Sequence, residues 1–280
     1  MTHEFDEGYG REPFASLVRD HPGTEAYPPD AFRLEWGPIF HRGRLDGSAK
    51  VLVLGQDPGQ HENIARRILV GEAGQRVQGF LRKLGITTSY VMVNAFLYSV
   101  YGYGGDRHHT DEAIVGYRNR WLDALLLDTE VRAVVAFGRF AEEAFEMWTD
   151  SHTVEDLDDL EITYQHVTHP TYPESASAHG QVPYAEAMEQ MLVGWNAAIQ
   201  ALAPVIASPD VPPDPAPYGT ALLESDLAPI PERDLPAGGP AWMRGLGAWA
   251  VRSGASVDEK RATIVVTVPE TDRPWTSAEG

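Results

Sequence analysis

Four β-like runs punctuate the chain: KVLVLG at 50–55, YVMVNAF at 90–96, VRAVVAFG at 131–138 and ITYQHVTH at 162–169. The first three are almost continuously aliphatic. Short runs of this kind suit strands buried on both faces, and such strands belong to parallel sheets that need helices above and below them. The intervening segments supply those helices. HENIARRIL and QRVQGFLRKLG fill the first gap, the second of them closing on Gly85 just past the helix end. TDEAIVGYRNRWLDALLLD fills the next, with Thr110 in the N-cap position. GRFAEEAFEMW follows the third run and PYAEAMEQMLVGWNAAIQALA the fourth. The alternation predicts an α/β fold, a three-layer α/β/α arrangement around a central, mostly parallel four-stranded sheet.

The texture changes after residue 202. Residues 203–240 hold ten of the 21 prolines, which marks a semi-rigid linker or a segment that wraps the surface. Residues 241–280 regain some pattern: a short amphipathic helix in AWMRGLGAWAVRSG, then a strand in ATIVVTV. That tail is too short to enclose a core of its own. The expected organisation is a main domain over 1–202, a Pro-rich linker over 203–240 and a small C-terminal extension over 241–280 packing on the core.

The chain has no cysteine, which removes disulfides, thiolate metal sites and a cysteine-held iron–sulfur cluster. No metal and no cofactor is expected. No run of 18 apolar residues is present to span a membrane, and MTHEFDEGYGREPF lacks the apolar centre of a signal peptide. A monomeric cytoplasmic enzyme is the expectation. The net charge of −19 argues against nucleic acid, because phosphate binding is driven by Lys and Arg. Its distribution softens the objection. Residues 42–83 hold eight basic residues against four acids, whereas 141–200 hold twelve acids and no Lys or Arg. The first segment is a candidate phosphate-facing rim, and the second a candidate face for a protein partner.

In an open parallel sheet, ligands sit beyond the carboxyl ends of the strands. The four runs deliver there Gly55-Gln56-Asp57-Pro58-Gly59, Asn94-Ala95-Phe96, Gly138, and His169-Pro170-Thr171-Tyr172. Singly, each has an ordinary explanation. Asp before Pro forms turns, a strand-end Asn caps, and Pro58-Gly59 reads as the centre of a type II turn. Together they bring an acid, an amide and an imidazole to one rim.

Five segments in order resemble the uracil-DNA glycosylase superfamily. GQDPG is similar to its first catalytic motif. VGEAGQRVQGFLRKLGI resembles the segment that follows in the bacterial and archaeal thermostable type. VMVNAFLYSV resembles the strand whose Asn reads the base, VVAFGRFAEEAF the third strand with its helix, and HPTYPESAS the second catalytic motif. The resemblance spans about 48 to 200. It implies a DNA partner and a nucleotide flipped out of the duplex into a pocket. It gives Asp57 the task of orienting water and stabilising an oxocarbenium-like sugar, and His169 that of donating to the departing base. Asn94 pairs with the base edge, and Gln56, Gly59 and Leu69 line the base pocket. Thr171 and Tyr172 contact the DNA, Tyr172 in place of the usual wedge leucine, which falls near Pro173.

The departures shape the expected substrate. The thermostable type carries a cluster on four cysteines that this chain lacks. The aromatic that stacks on the base there falls at Leu69, and the tyrosine that excludes the C5 methyl of thymine in the prototypical enzymes falls at Gly59. A C5-modified pyrimidine therefore competes with uracil as substrate, the former implying defence against phage and the latter repair. The loop YGYGGDRHHTD at 101–111 loosely resembles an insertion in a class that attaches covalently to DNA; Arg107, His108 and His109 are its candidate DNA contacts. A catalytically inactive member that binds only DNA or a protein is a further alternative, and an unrelated nucleotide-binding α/β protein another, although GQDPGQHE lacks the Gly-Lys-Ser/Thr of a phosphate-cradling loop.

Overall fold

The computed structural model describes residues 9–214 and 216–273. The first eight residues of the N-terminal stretch and the end of the expected extension, 274–280, lie outside the described residues. In chain order the elements are α1 (Phe14–Arg19), β1 (Arg42–Gly43), β2 (Val51–Gly55), α2 (Gln60–Ala65), α3 (Glu72–Lys83), β3 (Tyr90–Asn94), α4 (Gly104–His108) and α5 (Glu112–Leu126). There follow β4 (Ala133–Phe137), α6 (Arg139–Thr149), α7 (Val154–Asp158), β5 (Thr163–Val167), α8 (Tyr172–Ala178) and α9 (Tyr184–Leu202). The C-terminal part adds β6 (Ala250–Arg252), α10 (Val257–Ala262) and β7 (Ile264–Val266).

The sheet has the order β1-β3-β2-β4-β5, with β3, β2, β4 and β5 parallel and β1 antiparallel to β3. Alternate side chains feed opposite layers, as the period of two requires. Leu52, Leu54, Val91, Val93, Val134 and Ala136 pack with α1, α5 and α6. Val51, Val53, Tyr90, Met92, Ala133 and Val135 pack with α3 and α9. Both faces are covered, which explains why β2 and β4 read as unbroken aliphatic runs: every residue in them is buried. The chain leaves β2 toward β3, then crosses back to the other side of β2 to form β4. That reversal opens a crevice at the carboxyl ends of β2 and β4.

Three expectations need correction. The sheet has five strands rather than four, because Arg42–Gly43 pairs along the β3 edge; two residues carry no alternation that a pattern could register. The N-cap of α5 is Asp111, not Thr110. No helix forms over 241–254. Residues Ala241–Arg244 make a single 3-10 turn, and β6 pairs antiparallel with β7. Two glycines break the amphipathic pattern, and their backbone groups are claimed from outside: Gln75 of α3 donates to the Gly245 and Gly247 carbonyls at 3.0 Å and accepts from the Gly247 N–H at 2.9 Å. Gly85 does close α3 as expected, at φ +75°.

Residues 203–240 run along the domain and are stitched to it. Asp210 accepts from the backbone N–H groups of Thr87, Thr88 and Ser89. Lys83 pairs with Asp214, and Arg42 with Asp234, the latter pair fully buried. Ile206 and Tyr218 belong to the core on the α3/α9 side. Among the described residues, no helix is long and apolar enough to cross a membrane.

Candidate active site

The last residue of β2, Gly55, stands opposite Asn94 of β3 in the sheet register. A Cβ on Gly55 would collide with Asn94 Oδ1 and lie 3.8 Å from Leu69 Cδ1. The bare backbone therefore lets the Asn94 amide and the Leu69 side chain meet over the end of β2. Leu69 adopts φ +54°, a left-handed conformation that costs a non-glycine residue roughly 1–2 kcal/mol and tends to persist where surrounding structure enforces it for a function.

Asp57 follows two residues later. Its Oδ2 accepts the Val100 N–H at 2.9 Å. Val100 is fixed from two sides, bridging to Phe32 and accepting at its carbonyl from the Arg33 guanidinium, which also donates to Ser99 Oγ at 3.1 Å. Desolvation dominates the carboxyl's ionisation and lifts it from 3.8 to about 6, against the Val100 hydrogen bond and the charges of Arg33 and Arg252. At neutral pH Asp57 is an anion held in a poorly solvated place, and such groups are sources of reactivity rather than stability.

His169 follows β5, whose end is anchored by Trp195 donating to the Thr168 carbonyl at 3.1 Å. Its Nδ1 accepts the Thr171 N–H at 3.3 Å and lies 3.0 Å from Thr171 Oγ1. With Nδ1 occupied as an acceptor, the proton of the neutral ring sits on Nε2. Burial, helped by the positive charge of Arg76, pushes the imidazole down to about 4. Arg76 of α3 also ties down the His169 loop: it donates to the Pro170 carbonyl and forms a two-pronged pair with Glu174 at 2.6 and 3.1 Å.

Asp57 and His169 open into one cleft of ≈ 510 Å³, together with Gln56, Gly59, Leu69, Thr171 and Tyr172. Gln56 is oriented by accepting the Phe140 N–H at the start of α6, 3.2 Å away. Gly59 has φ −95°, so it is not the positive-φ residue of a type II turn; it is the N-cap of α2, and its N–H donates to Glu62 Oε2 at 3.0 Å. Asn94 does not line the cleft itself. It borders a cavity of ≈ 20 Å³, about one water, with Tyr27, Arg118 and Trp121, and adjoins the cleft at Leu69.

Arg107, His108 and His109 lie on or just after α4 and are not among the residues lining the cleft. Arg107 pairs with Asp30 at 3.1 Å, His108 with Asp111 at 2.7 Å, and His109 approaches Glu143 at 3.6 Å. Much of the basic segment 42–83 is likewise engaged within the chain. Arg42 and Lys83 are engaged as described, Lys50 donates to the Ser208 carbonyl, Arg66 to the Trp36 and Pro38 carbonyls, and Arg44 to Thr88 O and Ser48 Oγ. The expected basic rim thus serves mainly to bind the chain to itself.

Sequence reasoning missed four residues of this region. Glu62 bonds Gly59 N–H and Val70 N–H and so fixes both glycine-flanked turns; its spacing of three from the N-cap is a capping signal that was there to be read. Arg76, His61 and Arg252 carried no such signal. Among the described residues, no group of three or more His, Asp or Glu side chains is placed to hold a metal ion.

The family model for the uracil DNA glycosylase superfamily matches residues 42–192, just over half of the 280 residues. The chain belongs to the uracil DNA glycosylase superfamily. The match takes in Asp57, Asn94 and His169, and ends before the Pro-rich segment and the β6–β7 hairpin. No curated protein matches the chain. The superfamily fold accounts for the parallel sheet flanked by helices; the additions are the stitched segment 203–240 and the hairpin beyond it.

Proposed function

We propose that the protein is a monofunctional DNA glycosylase that hydrolyses the N-glycosidic bond of a flipped pyrimidine and leaves an abasic site. The observation that carries this reading is the pairing of opposite protonation states across one cleft: Asp57 ionises near 6 and His169 near 4, so at neutral pH the first is an anion and the second a neutral donor. Departure of a base leaves positive charge on the sugar and negative charge on the base. The Asp57 carboxylate stabilises the first and orients water toward the anomeric carbon. The Nε2–H of His169 donates to the oxygen of the leaving base, and a neutral donor suits a short-lived anion because it needs no proton transfer. Asn94, which adjoins the cleft at Leu69, offers one donor and one acceptor to the edge of a pyrimidine that reaches the end of β2.

A C5-modified pyrimidine is the favoured substrate class, because the cleft wall at Gly59 has no side chain. This would make the protein a defence enzyme acting on modified phage DNA, with repair of uracil as the competing role. The test is a panel of oligonucleotides carrying uracil, hydroxymethyluracil, and bare and glucosylated hydroxymethylcytosine, scored for abasic sites. Cleavage of the modified bases supports defence, cleavage of uracil alone supports repair, and no cleavage of any overturns the glycosylase reading in favour of a binding protein.

A further inference from the structure

The cleft holds one residue from outside the superfamily match. Arg252, the last residue of β6, lines it beside Asp57 and His169. We propose that the C-terminal extension is part of the nucleic-acid site and that Arg252 grips a phosphodiester of the bound strand. The inference rests on the glycosylase reading only for what lies in the cleft, a nucleotide; its own content is the phosphate contact.

Charge makes the first argument. The acidic and basic residues lining the cleft are Asp57, Glu62, Glu72, His61, His169 and Arg252. Both histidines are pushed by burial toward the neutral form. Arg252 is therefore the one cation facing three carboxylates, in a protein of net charge −19. A strand that brings phosphates to Asp57 is repelled by these carboxylates and, among the described lining residues, attracted by Arg252.

Arg252 is also uncommitted. Elsewhere in the extension Arg244 pairs with Glu232, Arg261 with Glu35 and Arg273 with Glu270. Arg252 is exposed and, among the described residues, its side chain makes no hydrogen bond or ion pair, while its guanidinium forks naturally onto a phosphate. An exposed arginine is usually a solvated one; what distinguishes this one is its fixed place.

The strand that carries it is held by the same helices that carry the catalytic loop. His61, four residues after Asp57, accepts the N–H groups of Trp249 and Ala250 on Nε2, both at 3.2 Å. Trp249 stacks edge-on against the His61 ring at 4.8 Å, and Gln75 holds Gly245 and Gly247. On the far side of the hairpin, Arg261 donates to Glu35, to the Pro29 and Phe32 carbonyls, and lies over the Tyr101 ring. The extension is thus anchored both at the α2 and α3 side of the cleft and on the Pro29–Glu35 segment.

The test compares the full chain with Arg252→Ala, Arg252→Lys and Arg252→Glu, measuring binding to a fluorescein-labelled oligonucleotide carrying one uracil across a salt series. Unfolding temperature is measured alongside, and abasic-site formation by wild type is scored separately. Arg252→Ala is expected to weaken binding and to flatten the log–log salt slope by about 0.7 to 0.9, the share of one phosphate. Arg252→Lys should keep most of the slope, and Arg252→Glu should bind more weakly than Ala, all with unchanged unfolding temperature. Unchanged affinity and slope in Ala and Glu overturn the inference and leave the glycosylase reading intact. A flattened slope in a protein that forms no abasic site on any base sustains the phosphate contact and overturns the glycosylase reading. Should Ala unfold, Arg252→Gln is read in its place: a flattened slope sustains the contact and an unchanged slope overturns it. A wild type that does not bind the oligonucleotide overturns both.

Discussion

His169 Nδ1 lies 3.0 Å from the hydroxyl of Thr171, two residues along the same loop, and accepts that residue's N–H at 3.3 Å. The loop thus sets the tautomer of its own imidazole. Thr171→Val removes the hydroxyl and keeps the N–H. Losing one hydrogen bond of about 1 kcal/mol should slow single-turnover cleavage roughly fivefold. Nitrogen chemical shifts of His169 should show the proton on Nε2 at neutral pH in both proteins. A proton on Nδ1 in wild type would remove His169 as the donor.

Arg76 acts on the site through His169 rather than on substrate. Its positive charge helps hold the imidazole down, and Glu174 opposes it. Arg76→Leu leaves Glu174 without its partner, so both changes raise the His169 pKa from about 4 toward its ordinary value of 6.5. The freed Pro170 carbonyl also loosens the loop, and a loss in kcat of roughly ten- to a hundredfold is expected. Titration of His169 by NMR separates this from a merely structural role, since an unshifted pKa in the variant would refute the coupling.

Asp57 trades stability for charge. Its folded-state pKa of about 6 lies above the ordinary 3.8, so the native state binds that proton more tightly than the unfolded chain does. The stability this gives is fully present below 3.8 and is lost as pH rises to about 6. Asp57→Asn is neutral throughout and keeps an oxygen for the Val100 N–H. Its unfolding temperature relative to wild type should therefore be higher at about pH 8 than at about pH 4. A difference that is flat with pH would mean that the carboxyl is as well solvated as in the unfolded chain.

Gly59 has an ordinary backbone conformation, so the turn requirement expected of Pro58-Gly59 does not constrain it. A Cβ there would meet Glu62 Oε2 at 2.8 Å, and that carboxylate oxygen is the only close neighbour. Gly59→Ala should fold and cleave within a few-fold of wild type after a small shift of Glu62. Gly59→Tyr should abolish cleavage of C5-substituted bases and spare uracil where uracil is cleaved. Equal losses in Ala and Tyr on every base would show that the Glu62 cap, not space, governs this position.

The inner strands were legible because burial on both faces leaves no room for polar residues, and their parallel sense follows from the alternation with helices; their order in the sheet does not. Asp57 and His169 were legible because they sit where such strands end. What stayed hidden depends on contacts distant in sequence. The burial of Arg42 and Lys83 could not be read from the segment itself, since their partners Asp234 and Asp214 lie in the Pro-rich stretch. The absence of the helix expected around Gly245 and Gly247 reflects hydrogen bonds from Gln75 that outweigh a weak local pattern. Arg252 carries no local signal, and it reaches the cleft only because β6 is tied to His61 of α2.

The central claim, that an ionised Asp57 beside a neutral His169 breaks a glycosidic bond, is tested most directly by the pH dependence of single-turnover abasic-site formation in wild type and Asp57→Asn. On the best substrate of the panel, the wild-type rate should climb about tenfold per pH unit up to an apparent pKa of about 6 and then level. His169, neutral above about 4, should add no limb in the neutral range. The Asn variant should be slower by about 10²–10⁴-fold and should lack the limb near 6. An Asn variant that cleaves at the wild-type rate, or a wild type whose limb persists unchanged in the variant, would contradict the account.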